Sequence, residues 1–167
     1  IIDQLPSNGY LAPEQVRTLL GAANIPLVEE FTSTDKAELI AFAKRVKFPV
    51  VAKVVGPVHK SDIGGVALNI RSEEHLLFEF ERMMRLPDVT AVMVQPMLKG
   101  QELFLGAKYE EGFGHVILCG LGGIFVEVLK DVSYGLAPLS YDETFSMIRS
   151  LRGYPIIKGT RGQKGID

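Results

Sequence analysis

The sequence predicts an α+β protein built as two small lobes. Helical apolar stripes alternate with short apolar strands up to about residue 95. Beyond it, strand-like segments separated by Pro- and Gly-containing turns dominate. The 167 residues are enough for one domain or two small lobes with a real core. Hydrophobic residues at 47% and charged residues at 23% are ordinary for a globular chain and argue against disorder. No apolar run approaches the roughly 18 residues that mark a membrane span, and the first ten residues lack the basic flank and apolar core of a signal peptide. No membrane partner and a cytoplasmic location are therefore expected. A formal net charge of −2 gives no general field for nucleic acid. The single cysteine, Cys119, excludes an intrachain disulfide and a CxxC metal knuckle. The three histidines lack ligand spacing, so no metal site is expected. Glycine stands out: 17 of 167 residues, about 10% against an average of about 7%, which calls for close backbone approaches.

Taken in order, residues 13–21 read as a helix, with Pro13 at its first position, Val16, Leu19 and Leu20 as a stripe, and Gly21 ending it. Residues 25–31 read as a strand entered through Pro26. Ser33 or Thr34 is expected to cap a second helix with Leu39, Phe42, Ala43 and Val46 on one face. Residues 48–55 form a Val-rich run expected of a strand buried on both faces. A loop over 56–65 leads to a short strand at 66–70. Ser72 then caps a helix with Glu73 and Glu74 in its first turn and Leu76, Phe80 and Met83 inward. Strands are expected at 91–97, 102–109, 116–119 and 132–139. Ser140 with Glu143 makes a capping box for a helix carrying Phe145, Ile148 and Leu151. The first lobe spans 10–95, the second 96–154, and 155–167 reads as an irregular tail.

Several residues do not suit a plain core. Lys53 is the only charge between Phe48 and Val58. It is either an ammonium aimed at a phosphate or a surface residue on an edge strand. The loop GPVHKSDIGG brings His59 and Lys60 next to Gly64 and Gly65. Paired glycines let backbone N–H groups approach an anion, and His59 suits a general base or phosphoryl acceptor. A polar hairpin loop is the plainer reading, and the GxxxxGK[ST] pattern is absent. Glu127 has only apolar neighbours over 124–129 and needs either a partner or a wet position. Glu102, alone, is a polar residue at a strand start, Cys119 reads as core filler, and His75 and His115 as solvent-facing. GLGG at 120–123 falls short of GxGxxG, and no GxSxG elbow is present.

Together these segments resemble the ATP-grasp domain of NDP-forming acyl-CoA synthetases, which include the β subunit or region of ADP-forming acetyl-CoA synthetase. The resemblance rests on FPVVAKVV (48–55), HKSDIGGVAL (59–68), VQPMLKGQELFLGAK (94–108), GLGGIFVEVLKDVSYGLAPLS (120–140), LRGYP (151–155) and GTRG (159–162). It implies an ATP-grasp fold with a nucleotide cleft between two α+β lobes, and ATP or ADP with Mg²⁺ as cofactors. Lys53 would contact the nucleotide phosphates, Gly64 and Gly65 would lie over them, and Lys60 would add charge. Gln95 to Leu98, with Met97 between them, would form the hinge whose backbone reads the adenine edge. Glu102 would bind the ribose hydroxyls, and Glu127 matches an acid of the family motif near the phosphate end. His59 matches a histidine implicated as a phosphohistidine, which would exchange phosphate with a histidine on a CoA-binding domain or subunit. The family continues through further motifs that supply Mg²⁺ ligands, so the chain is expected to be a C-terminally truncated domain, inactive alone, with those ligands beyond Asp167. An oligomer is expected. The alternative is a non-catalytic ATP-grasp-like regulatory module of a protein lysine acetyltransferase.

Overall fold

A computed structural model describes residues 11–57, 60–123, 128–160, 162 and 165. The chain divides into two compact units, Ile1–Leu98 and Lys99–Asp167. The break lies slightly after the expected 95/96 boundary. Pro96 still pairs with Val50, and the Met97 N–H donates to the Pro49 C=O at 3.0 Å, so this stretch stays with the first unit.

The first unit holds α1 (Pro13–Ala22), β1 (Phe31–Ser33), α2 (Lys36–Val46), β2 (Val50–Val55), β3 (Val66–Ile70), α3 (Glu73–Met83) and β4 (Ala91–Pro96). Its strands form an antiparallel sheet in the order β1-β4-β2-β3. The core lies between one sheet face and the two amphipathic helices. Leu39, Phe42 and Ala43 of α2 and Leu76, Phe80 and Met83 of α3 meet Val50, Ala52, Val54, Ile70, Val92 and Val94. The five buried valine and isoleucine side chains among these strand residues suit a pleated surface packed on helices.

Two local expectations need correction. The cap of α2 is Asp35, whose carboxylate accepts from the Ala37 N–H at 2.7 Å, rather than Ser33 or Thr34. Ser33 ends β1, and its hydroxyl accepts from the Asp35 N–H at 2.9 Å and donates to Glu38 at 2.6 Å. The strand expected over 25–31 shrinks to Phe31–Ser33, paired with Val92–Val94. Pro96, two residues past Val94 on β4, has no N–H to extend that ladder. Ile25 and Leu27 are left exposed.

The second unit holds β5 (Leu103–Glu110), β6 (Gly114–Leu121), β7 (Val132–Leu136), α4 (Tyr141–Arg149) and α5 (Tyr154–Lys158). The strands form an antiparallel meander, β5-β6-β7. The Ser140–Glu143 capping box forms: the Glu143 N–H donates to Ser140 Oγ at 3.3 Å, and the Ser140 N–H to Glu143 Oε2 at 2.7 Å. Bonds from the Ser140 hydroxyl and N–H hold the Glu143 carboxyl below its ordinary value. The tail expected to be irregular from 155 carries α5, because Pro155 suits a first helical turn and Ile157 packs with Leu121 and Leu151. Cys119 is buried, as core filler should be, and burial pushes its thiol up. His75 and His115 face solvent. No helix among the described residues is long and apolar enough to cross a membrane.

Candidate functional site

Lys53 lies on an inner strand. On β2 it pairs with Val66 of β3 on one side and Met93 of β4 on the other, which removes the edge-strand reading. Its neighbours Ala52 and Val54 point into the helix-covered core, so strand alternation sends Lys53 to the opposite face. There it is half-buried, with no carboxylate paired to it among the described residues. An inner-strand lysine without an internal counter-ion is suited to an anionic ligand.

The loop carrying Lys60 is stitched to the strand one residue beyond Lys53. The Val54 N–H donates to the Gly65 C=O at 2.8 Å. The Gly64 N–H donates to the Ser61 C=O at 3.1 Å and the Gly65 N–H to the Lys60 C=O at 2.7 Å. Both glycine amides are thus spent inside the loop, contrary to the expectation that they meet an anion. The glycines are required for shape instead. Gly64 has φ +69°, and a Cβ on Gly65 would lie 2.5 Å from Val54 Cγ2. Lys60 is half-buried at the start of this turn. His59 lies outside the described residues.

At the far end of β4, Gln95 lies opposite Val51 and therefore on the Lys53 face. Its side-chain Nε2 donates to Glu30 Oε2 at 2.7 Å, and Glu30 Oε1 pairs with Arg17 Nη1 at 3.1 Å. The Met97 N–H is committed to Pro49, so in the alternating ladder the Pro96 C=O and the Leu98 N–H point away from β2. Leu98 is 68% exposed, and its N–H has no backbone partner among the described residues. A carbonyl followed two residues later by a free N–H can meet the donor and acceptor on one edge of a purine.

In the second unit Glu102 abuts the GLGG turn. The Gly122 N–H donates to the Glu102 C=O at 2.6 Å, and a Cβ on Gly122 would lie 2.9 Å from Glu102 Cβ. A Cβ on Gly120 would lie 2.5 Å from the Asp131 C=O oxygen. These glycines therefore allow close strand packing, and the Glu102 carboxylate is left on an exposed residue. Asp131 accepts from the Arg152 and Gly153 N–H groups at 2.9 and 2.7 Å, tying the LRGYP segment to the start of β7. Glu127 lies outside the described residues. Among the described residues no group of three or more His, Cys, Asp or Glu could hold a metal ion.

Sequence reasoning missed Glu30, Arg17 and Asp131. Each is an ordinary charge beside an apolar run, and nothing local singles it out.

The model of the ATP-grasp domain family matches residues 6–167. The chain belongs to the ATP-grasp domain family. The proteins it is similar to include ADP-forming CoA ligases. It is 46% identical over 138 residues to acetate–CoA ligase [ADP-forming] II of Archaeoglobus fulgidus, covering 81% of this chain and 20% of that protein. It is 35% identical over 170 residues to the β subunit of acetate–CoA ligase [ADP-forming] I of Pyrococcus furiosus, covering 96% of this chain and 73% of the subunit. A solved acetyl-coenzyme A synthetase 1 of Ca. Korarchaeum cryptofilum, in complex with coenzyme A and Mg-AMPPCP, superposes with a TM-score of 0.77 at 34% identity, covering 94% of this chain and 71% of that one. The chain spans about a fifth to a quarter of the single-chain ligases it matches. These ligases give no support to the regulatory-module alternative.

Proposed function

We propose that this ATP-grasp domain is the nucleotide-binding and phosphoryl-transfer portion of an NDP-forming acyl-CoA synthetase. The reaction converts acyl-CoA, ADP and phosphate to acid, ATP and CoA. The observation that carries the reading is Lys53: half-buried on an inner strand, without an internal counter-ion among the described residues, beside a tight Gly64–Gly65 loop. Phosphoryl transfer needs positioning and charge stabilisation more than covalent help from the protein. Lys53 and Lys60 supply positive charge to the phosphates. Gly64 and Gly65 hold the loop that carries Lys60 low against β2. The Pro96 C=O, Leu98 N–H and Gln95 side chain face the base, with Met97 anchoring the hinge to β2. Glu102 accepts from the ribose hydroxyls, and Glu127 acts near the phosphate end.

In the ATP-forming direction His59 carries the phosphoryl group. Its N–P bond breaks as a terminal ADP oxygen takes the phosphorus, leaving a neutral imidazole. The phosphoryl group reaches His59 from a histidine on a CoA-binding domain or subunit of an oligomeric, cytoplasmic enzyme. Mg²⁺ is the expected counter-ion of the nucleotide. The described residues do not assemble a site for it.

Calorimetric titration of Mg-ADP tests the reading. Micromolar binding is expected, weakened at least about tenfold in Lys53→Ala, which removes a charge-assisted contact. Wild-type protein that binds no nucleotide refutes it. His59→Ala is expected to keep ADP binding and lose labelling by γ-phosphate-labelled ATP. Unchanged labelling removes His59 from the relay.

A further inference from the structure

We propose that Glu30, held by Arg17, is a positioning residue that fixes the amide of Gln95 and so makes the hinge favour adenine over guanine. The inference rests on the nucleotide reading above and adds base specificity to it.

The argument starts from a donor–acceptor constraint. Gln95 lies on the Lys53 face at the end of β4, beside the Pro96–Leu98 hinge. Its amide touches Glu30 Oε2 at 2.7 Å. A carboxylate only accepts hydrogen bonds, so the touching atom is the amide nitrogen, and the amide can be placed only one way round. The second Glu30 oxygen is engaged by Arg17 Nη1 at 3.1 Å, and Arg17 Nη1 also reaches the Val28 C=O at 3.4 Å. The Glu30 side chain is only 17% exposed, so its carboxylate is largely shielded from solvent, and Arg17 reaches it from a more exposed position. Arg17 therefore keeps Glu30 in place, and Glu30 keeps the Gln95 NH₂ turned toward itself.

The consequence is carried by the other end of the amide. Gln95 Oε1 has no donor among the described residues, and it is not a buried orphan. The hinge therefore displays an accepting oxygen. Adenine carries an amine donor at N6, whereas guanine carries an accepting oxygen at the equivalent O6. An acceptor facing N6 makes a hydrogen bond, and an acceptor facing O6 repels. Without the Glu30 constraint the Gln95 amide can rotate by half a turn, present its NH₂ to O6, and lose the distinction.

The test is calorimetric titration of ADP and of GDP, each with Mg²⁺, into wild-type protein, Glu30→Gln and Arg17→Gln. Thermal melts confirm that the variants are folded. Glu30→Gln has nearly the same shape but can donate as well as accept, so the Gln95 amide is released. Wild-type protein is expected to bind ADP about tenfold more tightly than GDP or better, the discrimination one mispaired polar contact gives. In Glu30→Gln the ratio is expected to fall within about threefold, once the mispaired contact can relax. Arg17→Gln, at a position with 41% side-chain exposure that tolerates change, is expected to lie between them. A merely structural role would weaken both nucleotides together and leave the ratio alone. A wild-type ratio retained in both variants, or no wild-type preference, overturns this inference while leaving nucleotide binding intact. Failure of wild-type protein to bind either nucleotide overturns the nucleotide reading and this inference with it.

Discussion

Replacing Gly65 by alanine tests how the loop is held beside Lys53. The added Cβ would lie 2.5 Å from Val54 Cγ2 and 2.8 Å from the Lys60 C=O oxygen. Neither neighbour can recede cheaply. Val54 is fully buried on an inner strand, and the Lys60 oxygen already accepts from the Gly65 N–H at 2.7 Å. Overpacking of this kind costs about 1–3 kcal/mol. For a chain of this size each kcal/mol lowers Tm by about 2–4 °C, so the expected fall is roughly 2–12 °C. Gly21 is the internal control. Nothing lies within 4 Å of a Cβ there, and it sits inside α1, so Gly21→Ala should raise stability by up to about 1 kcal/mol. The assay is a thermal melt followed by circular dichroism, paired with ADP titration. Gly65→Ala should bind ADP more weakly, because the loop can accommodate the added Cβ only by moving off β2. A Gly65→Ala protein that melts with the wild type, or two glycines that respond alike, would refute the packing argument.

Four further outcomes are expected. Asp131→Ala leaves the Arg152 and Gly153 N–H groups without their acceptor and should cost about 1–3 kcal/mol in urea unfolding, with Asp131→Asn costing less because one accepting oxygen remains. Ser140→Ala removes the α4 cap and should cost about 1 kcal/mol. Because the folded Glu143 carboxyl titrates below its ordinary value of 4.5, its contribution is fully present above that pH and is lost as pH falls through the folded value. The stability gap between wild type and Glu143→Gln should therefore close in acid. Cys119 is 6% exposed with its thiol pushed up by burial, so a thiol reagent at pH 8 should label the folded chain slowly and the urea-unfolded chain completely.

Much of the fold was legible because its signals are local. The α3 cap at Ser72 and its Leu76, Phe80 and Met83 stripe depend only on neighbours within a turn or two, and all are realised. The Ser140–Glu143 box is likewise a four-residue pattern. Misreadings arose where several local solutions were equally good. Ser33, Thr34 and Asp35 are all competent caps, and tertiary placement chose Asp35 because Ser33 was already taken as the last residue of β1. The 25–30 stretch is strand-like in composition but has no strand opposite it. A partner, rather than propensity, makes a strand.

For the candidate site, the order of residues is enough to show that a lone lysine stands in a valine run, that a histidine and paired glycines follow it, and that these belong to an ATP-grasp chain. Tertiary structure alone decided that β2 is an inner strand, which turned Lys53 from an ambiguous residue into a half-buried charge. It also reassigned the glycine surplus. Gly65 and Gly122 are needed for what lies against them, Val54 and Glu102, rather than for amides offered outward. Most of all, it brought Glu30 to Gln95 across 65 residues of chain. Side-chain partners at such separation are set by strand order and register, which local propensity does not encode. The chemistry of the residues is therefore written in the chain, while their pairing and burial come from the packed sheet.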